Sequence, residues 1–138
     1  MKVLFVCTGN TCRSPMAEGI FNSLSEGAIS RGLFAEGGAA SENAIMAMAK
    51  MGIDISQHVS KPIVKEDVEE ADLVLCMTYT HKTALLAIMP EAKDKIFNLG
   101  EYADGLEVVD PYGGDEFIYD KCAKMLYEYI ERIVEKLK

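Results

Sequence analysis

The chain has 138 residues, of which 49% are hydrophobic and 26% charged, as expected for one domain with a buried core. Its net charge of -8 argues against nucleic acid or an anionic membrane as the main partner, and no stretch approaches the roughly 18 apolar residues of a membrane span. The apolar start is too short for a signal peptide, so the four cysteines predict free thiols and a cytoplasmic location.

The chain begins with a predicted strand, loop and helix. Residues 3–6 are continuously apolar and β-prone, as in a strand buried on both faces. Ser14 is a good N-cap and Pro15 suits the first helical position. Apolar residues then recur at helical spacing until Gly27. The loop between strand and helix therefore ends at a helix N-terminus.

The middle of the chain continues the alternation. Residues 28–34 predict a short strand, and Ser41 can cap a helix that Gly52 stops. Residues 66–70 form a short helix or turn, and residues 72–77 are a second clearly buried strand. Residues 80–89 then predict a helix, ended by the following proline.

The last third predicts one more strand and a long helix. Residues 95–99 are a short strand, and residues 100–114 are a predicted loop. The final segment places one apolar stripe on a helix, formed by Ile118, Cys122, Met125, Ile130, Ile133 and Leu137. The alternation predicts an α/β fold of three layers, with a central four-stranded parallel sheet and helices on both faces. Ligands bind such sheets at the carboxyl ends of the strands, where the loop after strand one lies.

That first loop combines a cysteine and an arginine with five residues between them. A helix N-terminus and a nearby cation favour the thiolate form of a cysteine, and Cys7 has both. The intervening backbone N–H groups can bind an anion, and Arg13 can grip two phosphate oxygens at once. The predicted phosphate-binding residues are Thr8, Gly9, Asn10, Thr11, Cys12, Arg13 and Ser14. A hydroxyl at Ser14 can also donate to the thiolate. This segment, residues 7–14, is called the phosphate loop below.

Other interpretations of the phosphate loop fit the sequence less well. Cys7 on its own would be a buried cysteine at a strand end. The chain has no G-x-x-x-x-G-K-[ST] or G-x-G-x-x-G motif, and no pattern of zinc ligands. His58 and His81 are isolated and are predicted to lie at the surface or to bond a loop. We expect neither a metal nor a cofactor.

The segment from Cys7 to Glu18 resembles the signature of the low-molecular-weight protein tyrosine phosphatase family. A second matching motif, Asp110-Pro111-Tyr112, lies about 28 residues before the end, and the similarity extends over the whole chain. The resemblance implies a single phosphatase domain, residues 1–138, that forms a phosphocysteine at Cys7. It also implies that Arg13 binds the phosphoryl oxygens and that Asp110 protonates the leaving atom and then activates water.

The chemistry of Asp110 agrees with that role. The proline after it favours an extended backbone, and Gly113 and Gly114 allow the loop to bend over a pocket. A carboxyl group beside a bound dianion is favoured in its protonated form, which suits a general acid near neutral pH. A lone Asp-Pro pair would otherwise be an exposed turn.

Thr11 and Tyr112 bear on the substrate. Many tyrosine phosphatases of the family have an apolar residue where Thr11 stands, whereas a threonine hydroxyl can accept a hydrogen bond from a guanidinium. This resembles the bacterial protein arginine phosphatase branch, which cleaves the P–N bond of phosphoarginine. Tyr112 instead matches the tyrosine phosphatases. We favour phosphoarginine and keep phosphotyrosine as the alternative; the partner is a phosphorylated protein and the product inorganic phosphate.

The other three cysteines have predicted roles of their own, and two alternative functions, arsenate reduction and phosphate binding without catalysis, remain to be considered. Cys12 is either a packing residue or a resolving thiol that forms a disulfide with an oxidised Cys7. Cys76 and Cys122 are predicted to be packing residues. An arsenate reductase would need a further redox cysteine, for which a strand position at Cys76 is poorly suited. A non-catalytic phosphate-binding module would not need the nucleophile and the acid Asp110 together.

Overall fold

A computed structural model of residues 1–138 contains one sheet of four parallel strands. The strands are β1 (Val3–Cys7), β2 (Ala28–Gly32), β3 (Leu73–Cys76) and β4 (Ile96–Asn98). Their order across the sheet is β2-β1-β3-β4. The chain moves from one side of β1 to the other between β2 and β3, so the strand order reverses at β1. Open parallel sheets bind ligands at that point, beyond the carboxyl ends of the strands.

Helices cover both faces of the sheet, which confirms the predicted three-layer fold. They are α1 (Arg13–Leu24), α2 (Glu42–Ala49), α3 (Lys65–Glu70), α4 (Tyr79–Ile88), α5 (Leu99–Tyr102) and α6 (Glu116–Leu137), with a 3₁₀ helix at Pro90–Lys95. Successive side chains of a strand point to opposite faces. Phe5 of β1 therefore packs in a core with α1, α2 and α6, whereas Leu4 and Val6 pack in a second core with α3 and α4. No helix is both long enough and apolar enough to cross a membrane.

The first helix begins differently from the prediction. Cys12 occupies the N-cap position, without a side-chain hydrogen bond to the helix, and Arg13 is the first helical residue. Ser14 and Pro15 therefore lie inside the first turn. The predicted capping by Ser14 was wrong because its hydroxyl is used within the phosphate loop instead.

Three further predictions were wrong in part. The strand predicted over residues 28–34 ends at Gly32. The predicted loop of residues 100–114 begins within α5, whose N-cap Asn98 accepts a hydrogen bond from the backbone of Glu101. The buried face of α6 is rotated relative to the predicted stripe and consists of Tyr119, Cys122, Ala123, Leu126, Tyr129, Ile130, Ile133 and Val134. Ile118 is exposed, and Met125 and Leu137 are only partly buried. The rings of the two tyrosines supply buried area that an aliphatic pattern does not predict.

Candidate active site

One cavity of about 300 Å³ contains the predicted catalytic residues. The phosphate loop leaves β1 at Cys7 and enters α1 at Arg13, so the thiol and the guanidinium lie at its two ends. The cavity is lined by Cys7, Thr8, Gly9, Thr11, Cys12, Arg13, Asp110 and Tyr112. Asn10 and Ser14 do not line it and are fully buried. The structure therefore divides the predicted phosphate-binding set into residues facing the cavity and residues behind it.

The Cys7 thiol has two hydrogen-bond partners inside the loop. The backbone N–H of Asn10 donates to Cys7 Sγ over 3.2 Å, and Ser14 Oγ lies 2.8 Å from the same sulfur. Asn10 Nδ2 donates to Ser14 Oγ over 2.8 Å. Because that bond occupies an acceptor position of Ser14, its hydroxyl hydrogen is free to point at the sulfur. The two hydrogen bonds fix the position of the sulfur at the start of the loop.

Asn10 fixes the shape of the phosphate loop. Its φ of +58° lies in the left-handed region, which asparagine tolerates better than most residues. Its side chain also donates to Ser30 Oγ and accepts from the backbone N–H of Lys61. Its carbonyl oxygen lies 2.9 Å from His58 Nε2. His58 therefore bonds the loop, which is one of the two roles predicted for it.

His81 supports the other end of the same loop. Its Nε2 lies 2.7 Å from Thr8 Oγ1. The residue is buried, so the predicted surface position was wrong and the loop-bonding alternative was right. Burial, and then the charge of Arg13, lower the pKa of His81 to about 4, so its ring is neutral at neutral pH.

The guanidinium of Arg13 joins the phosphate loop to the segment that carries Asp110. Its Nη1 donates to the carbonyl oxygen of Val108 over 3.1 Å, and its Nη2 lies 3.6 Å from Asp110 Oδ2. Residues 108–114 are called the acid loop below. Asp110 Oδ1 accepts the backbone N–H of Tyr112, a tight local turn, and Gly113 follows with a φ of +80°. The two predicted catalytic loops therefore meet at the same cavity.

The Cys12 thiol contacts helix α6 through the hydroxyl of Tyr119. Tyr119 Oη is 3.2 Å and Ser41 Oγ 3.6 Å from Cys12 Sγ. Burial, and then the bond to Cys12, raise the pKa of Tyr119 to about 12, so its hydroxyl remains protonated. Nothing in the sequence pattern predicted this contact, because Tyr119 lies 107 residues away.

The two remaining cysteines lie in the two cores. Cys76 is fully buried in β3 and Cys122 is buried in α6, as predicted for packing residues. Burial raises the pKa of both thiols to about 12. Thiols in that state are poor nucleophiles at neutral pH.

Comparison with known proteins gives the same family over the whole length of the chain. The sequence model of the family described as "Low molecular weight phosphotyrosine protein phosphatase" matches residues 2–138. A protein-arginine-phosphatase of Bacillus subtilis is 41% identical, covering 100% of this chain and 97% of its own length. A low molecular weight protein-tyrosine-phosphatase, PtpB, of Staphylococcus epidermidis is 37% identical, covering 96% of each chain. A solved low molecular weight protein tyrosine phosphatase from T. tengcongensis is 49% identical, with a TM-score of 0.94 and 99% of each chain covered.

Proposed function

Because this chain belongs to the low molecular weight phosphotyrosine protein phosphatase family and is a cysteine-based protein phosphatase, we propose that its substrate is phosphoarginine in proteins. The reaction is then cleavage of the P–N bond, with inorganic phosphate as product. The observation that carries this choice is the position of Thr11, which lines the same cavity as Cys7 and Asp110.

In the first proposed step Cys7 attacks phosphorus. The thiolate forms an S–P bond while the bond from phosphorus to the leaving nitrogen breaks. Hydrogen bonds from Ser14 Oγ and from the Asn10 backbone N–H orient the sulfur for this attack. Arg13, buried at the end of the phosphate loop, binds two phosphoryl oxygens through its fork of donors. Positioning and charge stabilisation supply most of the catalysis, because the transition state of phosphoryl transfer is largely dissociative.

Asp110 handles the proton in both proposed steps. Its carboxyl group protonates the leaving nitrogen as the P–N bond breaks. In the second step the resulting carboxylate takes a proton from water, whose oxygen attacks phosphorus and breaks the S–P bond. Phosphate and the Cys7 thiolate are released. The contact of 3.6 Å between Asp110 Oδ2 and Arg13 Nη2 supports this role, since Arg13 is the residue proposed to bind the phosphoryl oxygens.

The chemistry of a guanidinium explains why a threonine at position 11 supports phosphoarginine. A guanidinium has only donors, whereas an aromatic ring packs best against an apolar side chain. The Thr11 hydroxyl can accept one of those donors at the cavity wall, and the carbonyl oxygen of the protonated Asp110 carboxyl group can accept another. The name of the Bacillus subtilis relative, protein-arginine-phosphatase, supports the same substrate.

Replacing Thr11 by isoleucine tests this proposal. In Thr11→Ile we expect kcat/KM for a phosphoarginine peptide to fall about tenfold more than for a phosphotyrosine peptide of the same sequence, since only the guanidinium loses a hydrogen bond. Rates of both peptides are measured side by side, with Cys7→Ser as the inactive control. Equal losses on the two peptides would contradict the specificity argument.

Phosphotyrosine is the second candidate substrate, and a specific residue favours it. Tyr112 is 82% exposed and lines the cavity, so its ring can stack on a substrate ring at the mouth. The Staphylococcus epidermidis and T. tengcongensis relatives are named as tyrosine phosphatases. A parent enzyme that hydrolyses only the phosphotyrosine peptide would establish this alternative.

The cysteines bear on three further predictions, which are arsenate reduction, a redox role and a cytoplasmic location. Arsenate reduction finds no support, because Cys76 lies fully buried within β3 and is no mobile redox partner. Cys12, which lines the same cavity as Cys7, is proposed to be the resolving thiol in the redox role predicted for this pair. Four free cysteines support a cytoplasmic location.

A further inference from the structure

We infer that Thr8 is a second specificity-determining residue, that His81 holds it in position, and that its hydroxyl accepts a hydrogen bond from the guanidinium of the substrate. This inference rests on the proposed phosphoarginine activity and extends it to a different side of the cavity. It gives a role to a buried histidine that the proposed reaction does not otherwise use.

The depth of the cavity determines which part of a substrate Thr8 meets. Cys7 and Arg13, which bind the phosphoryl group in the proposed reaction, are each only 4% exposed and form the floor. Thr8 lines the same cavity but is an exposed residue, so it belongs to the mouth. A substrate whose phosphorus reaches Cys7 places the atoms beyond the phosphoryl group at the level of Thr8.

His81 has one hydrogen-bonding partner for its ring, and that partner is Thr8. Its Nε2 lies 2.7 Å from Thr8 Oγ1, while the buried Nδ1 has no partner. The ring is fixed at the start of α4, where the backbone N–H of His81 donates to the N-cap Thr78. Since α4 follows β3 and the phosphate loop follows the adjacent strand β1, the sheet places the two segments side by side.

Fixing the hydroxyl leaves it able to accept from the substrate. If Thr8 donates to His81, both lone pairs of its oxygen are free; if it accepts, one lone pair is free. A guanidinium has five N–H donors and no acceptor, and about four donors remain when one nitrogen carries the phosphoryl group, so such a lone pair favours it over a phenyl ring. A hydroxyl that is already held loses less rotational freedom when the substrate binds. Thr8 and Thr11 then contact the guanidinium from two positions of one loop.

The test compares substrates rather than overall activity. We measure kcat/KM of the parent, Thr8→Val, His81→Phe and the double variant on phosphoarginine and phosphotyrosine peptides of one sequence. In Thr8→Val the ratio of phosphoarginine to phosphotyrosine kcat/KM should fall about tenfold. In His81→Phe the same ratio should fall several-fold. The ratio for the double variant should equal that for Thr8→Val, since both substitutions act on the same interaction with the substrate.

Two conservative variants separate positioning from a loss of structure. Thr8→Ser keeps the hydroxyl, and His81→Gln keeps a polar group able to reach it, so both should retain most of the parent ratio. If His81→Phe does not fold, Thr8→Val with these two variants decides the outcome. Equal losses on both peptides, or independent effects in the double variant, would overturn this inference alone. A parent without phosphoarginine activity would overturn both this inference and the proposed function.

Discussion

The phosphate loop and the acid loop contribute to one cavity but are built in opposite ways. In the phosphate loop Asn10 and Ser14 are fully buried and hydrogen-bonded on several sides. In the acid loop the Asp110 side chain is 56% exposed, and a side chain at Gly113 would begin in open space. The comparison teaches that the half of the site proposed to bind the phosphoryl group is held by buried hydrogen bonds. The half proposed to meet the variable leaving group carries its acid on an exposed side chain.

The largest effect is expected where the exposed loop carries chemistry. In Asp110→Asn the amide has no proton to give the leaving atom, so phosphoarginine hydrolysis should fall by about 10²–10⁴-fold. Hydrolysis of 4-nitrophenyl phosphate, whose leaving group needs less protonation, should fall less. The free energy of unfolding should change by less than about 0.5 kcal/mol, because the side chain is exposed.

Asp104→Asn provides the control for Asp110→Asn. Asp104 is also an exposed carboxylate in the same stretch of chain, paired with Lys136 over 3.3 Å at the surface. Its loss should leave both rates near those of the parent. Equal losses on both leaving groups in Asp110→Asn would contradict an acid role.

The next effect concerns the stability of the buried loop. Asn10→Ala removes buried hydrogen bonds and puts alanine at a positive φ, so it should cost about 2–4 kcal/mol. Asp104, with a φ of +60° at an exposed position, is the matched control. Asp104→Ala should cost only about 1 kcal/mol for the backbone. Urea unfolding measures both, and equal costs would show that the Asn10 side chain does not fix the loop.

Oxidation by peroxide tests whether the phosphate loop can rearrange enough for Cys7 and Cys12 to form a disulfide. In the proposed redox role, peroxide converts Cys7 to a sulfenic acid, which condenses with the Cys12 thiol to a disulfide and water. Cys12 must first leave Tyr119 Oη, 3.2 Å away. We expect dithiothreitol to restore activity in the parent but largely not in Cys12→Ser. Full recovery in both would remove the redox role and leave Cys12 as a packing residue.

The smallest effect is a dependence of stability on pH. His81 has a pKa of about 4 in the folded protein, below its usual value of 6.5, because burial and Arg13 oppose its charge. Below pH 6.5 the unfolded chain binds a proton at this position that the folded protein does not. The contribution of neutral His81 to the free energy of unfolding is therefore fully present above pH 6.5. It is lost as the pH falls from about 6.5 to 4.

The matching variant isolates this contribution. In His81→Gln the urea midpoint should fall less between pH 7 and pH 5 than in the parent. Asp110 and Glu107 face His81 and favour its charged form, whereas Arg13 opposes it. A variant with the same pH slope as the parent would show that His81 gains its proton equally in both states.

Local pattern predicted the sheet and the residues of the cavity but not their supports. Cys7 and Arg13 lie on the first strand, loop and helix, whose order the sequence alone indicates. Asp110 was found through its proline and the family resemblance. His58, His81 and Tyr119 carry no local signal, because each reaches the phosphate loop from a distant segment of chain. Ser14 was predicted to cap the helix but contacts the Cys7 thiol instead, and this contact likewise forms only in the folded protein.

The long reach of those contacts has a consequence for how the enzyme folds. His58 bonds the phosphate loop across 48 residues of chain, His81 across 73 and Val108 across 95. Contacts of such high sequence separation form late, after the cost of closing long loops has been met. A refolding chain should therefore regain its helices before the phosphate loop reaches its folded conformation. Recovered activity then reports that the last long-range contacts have formed.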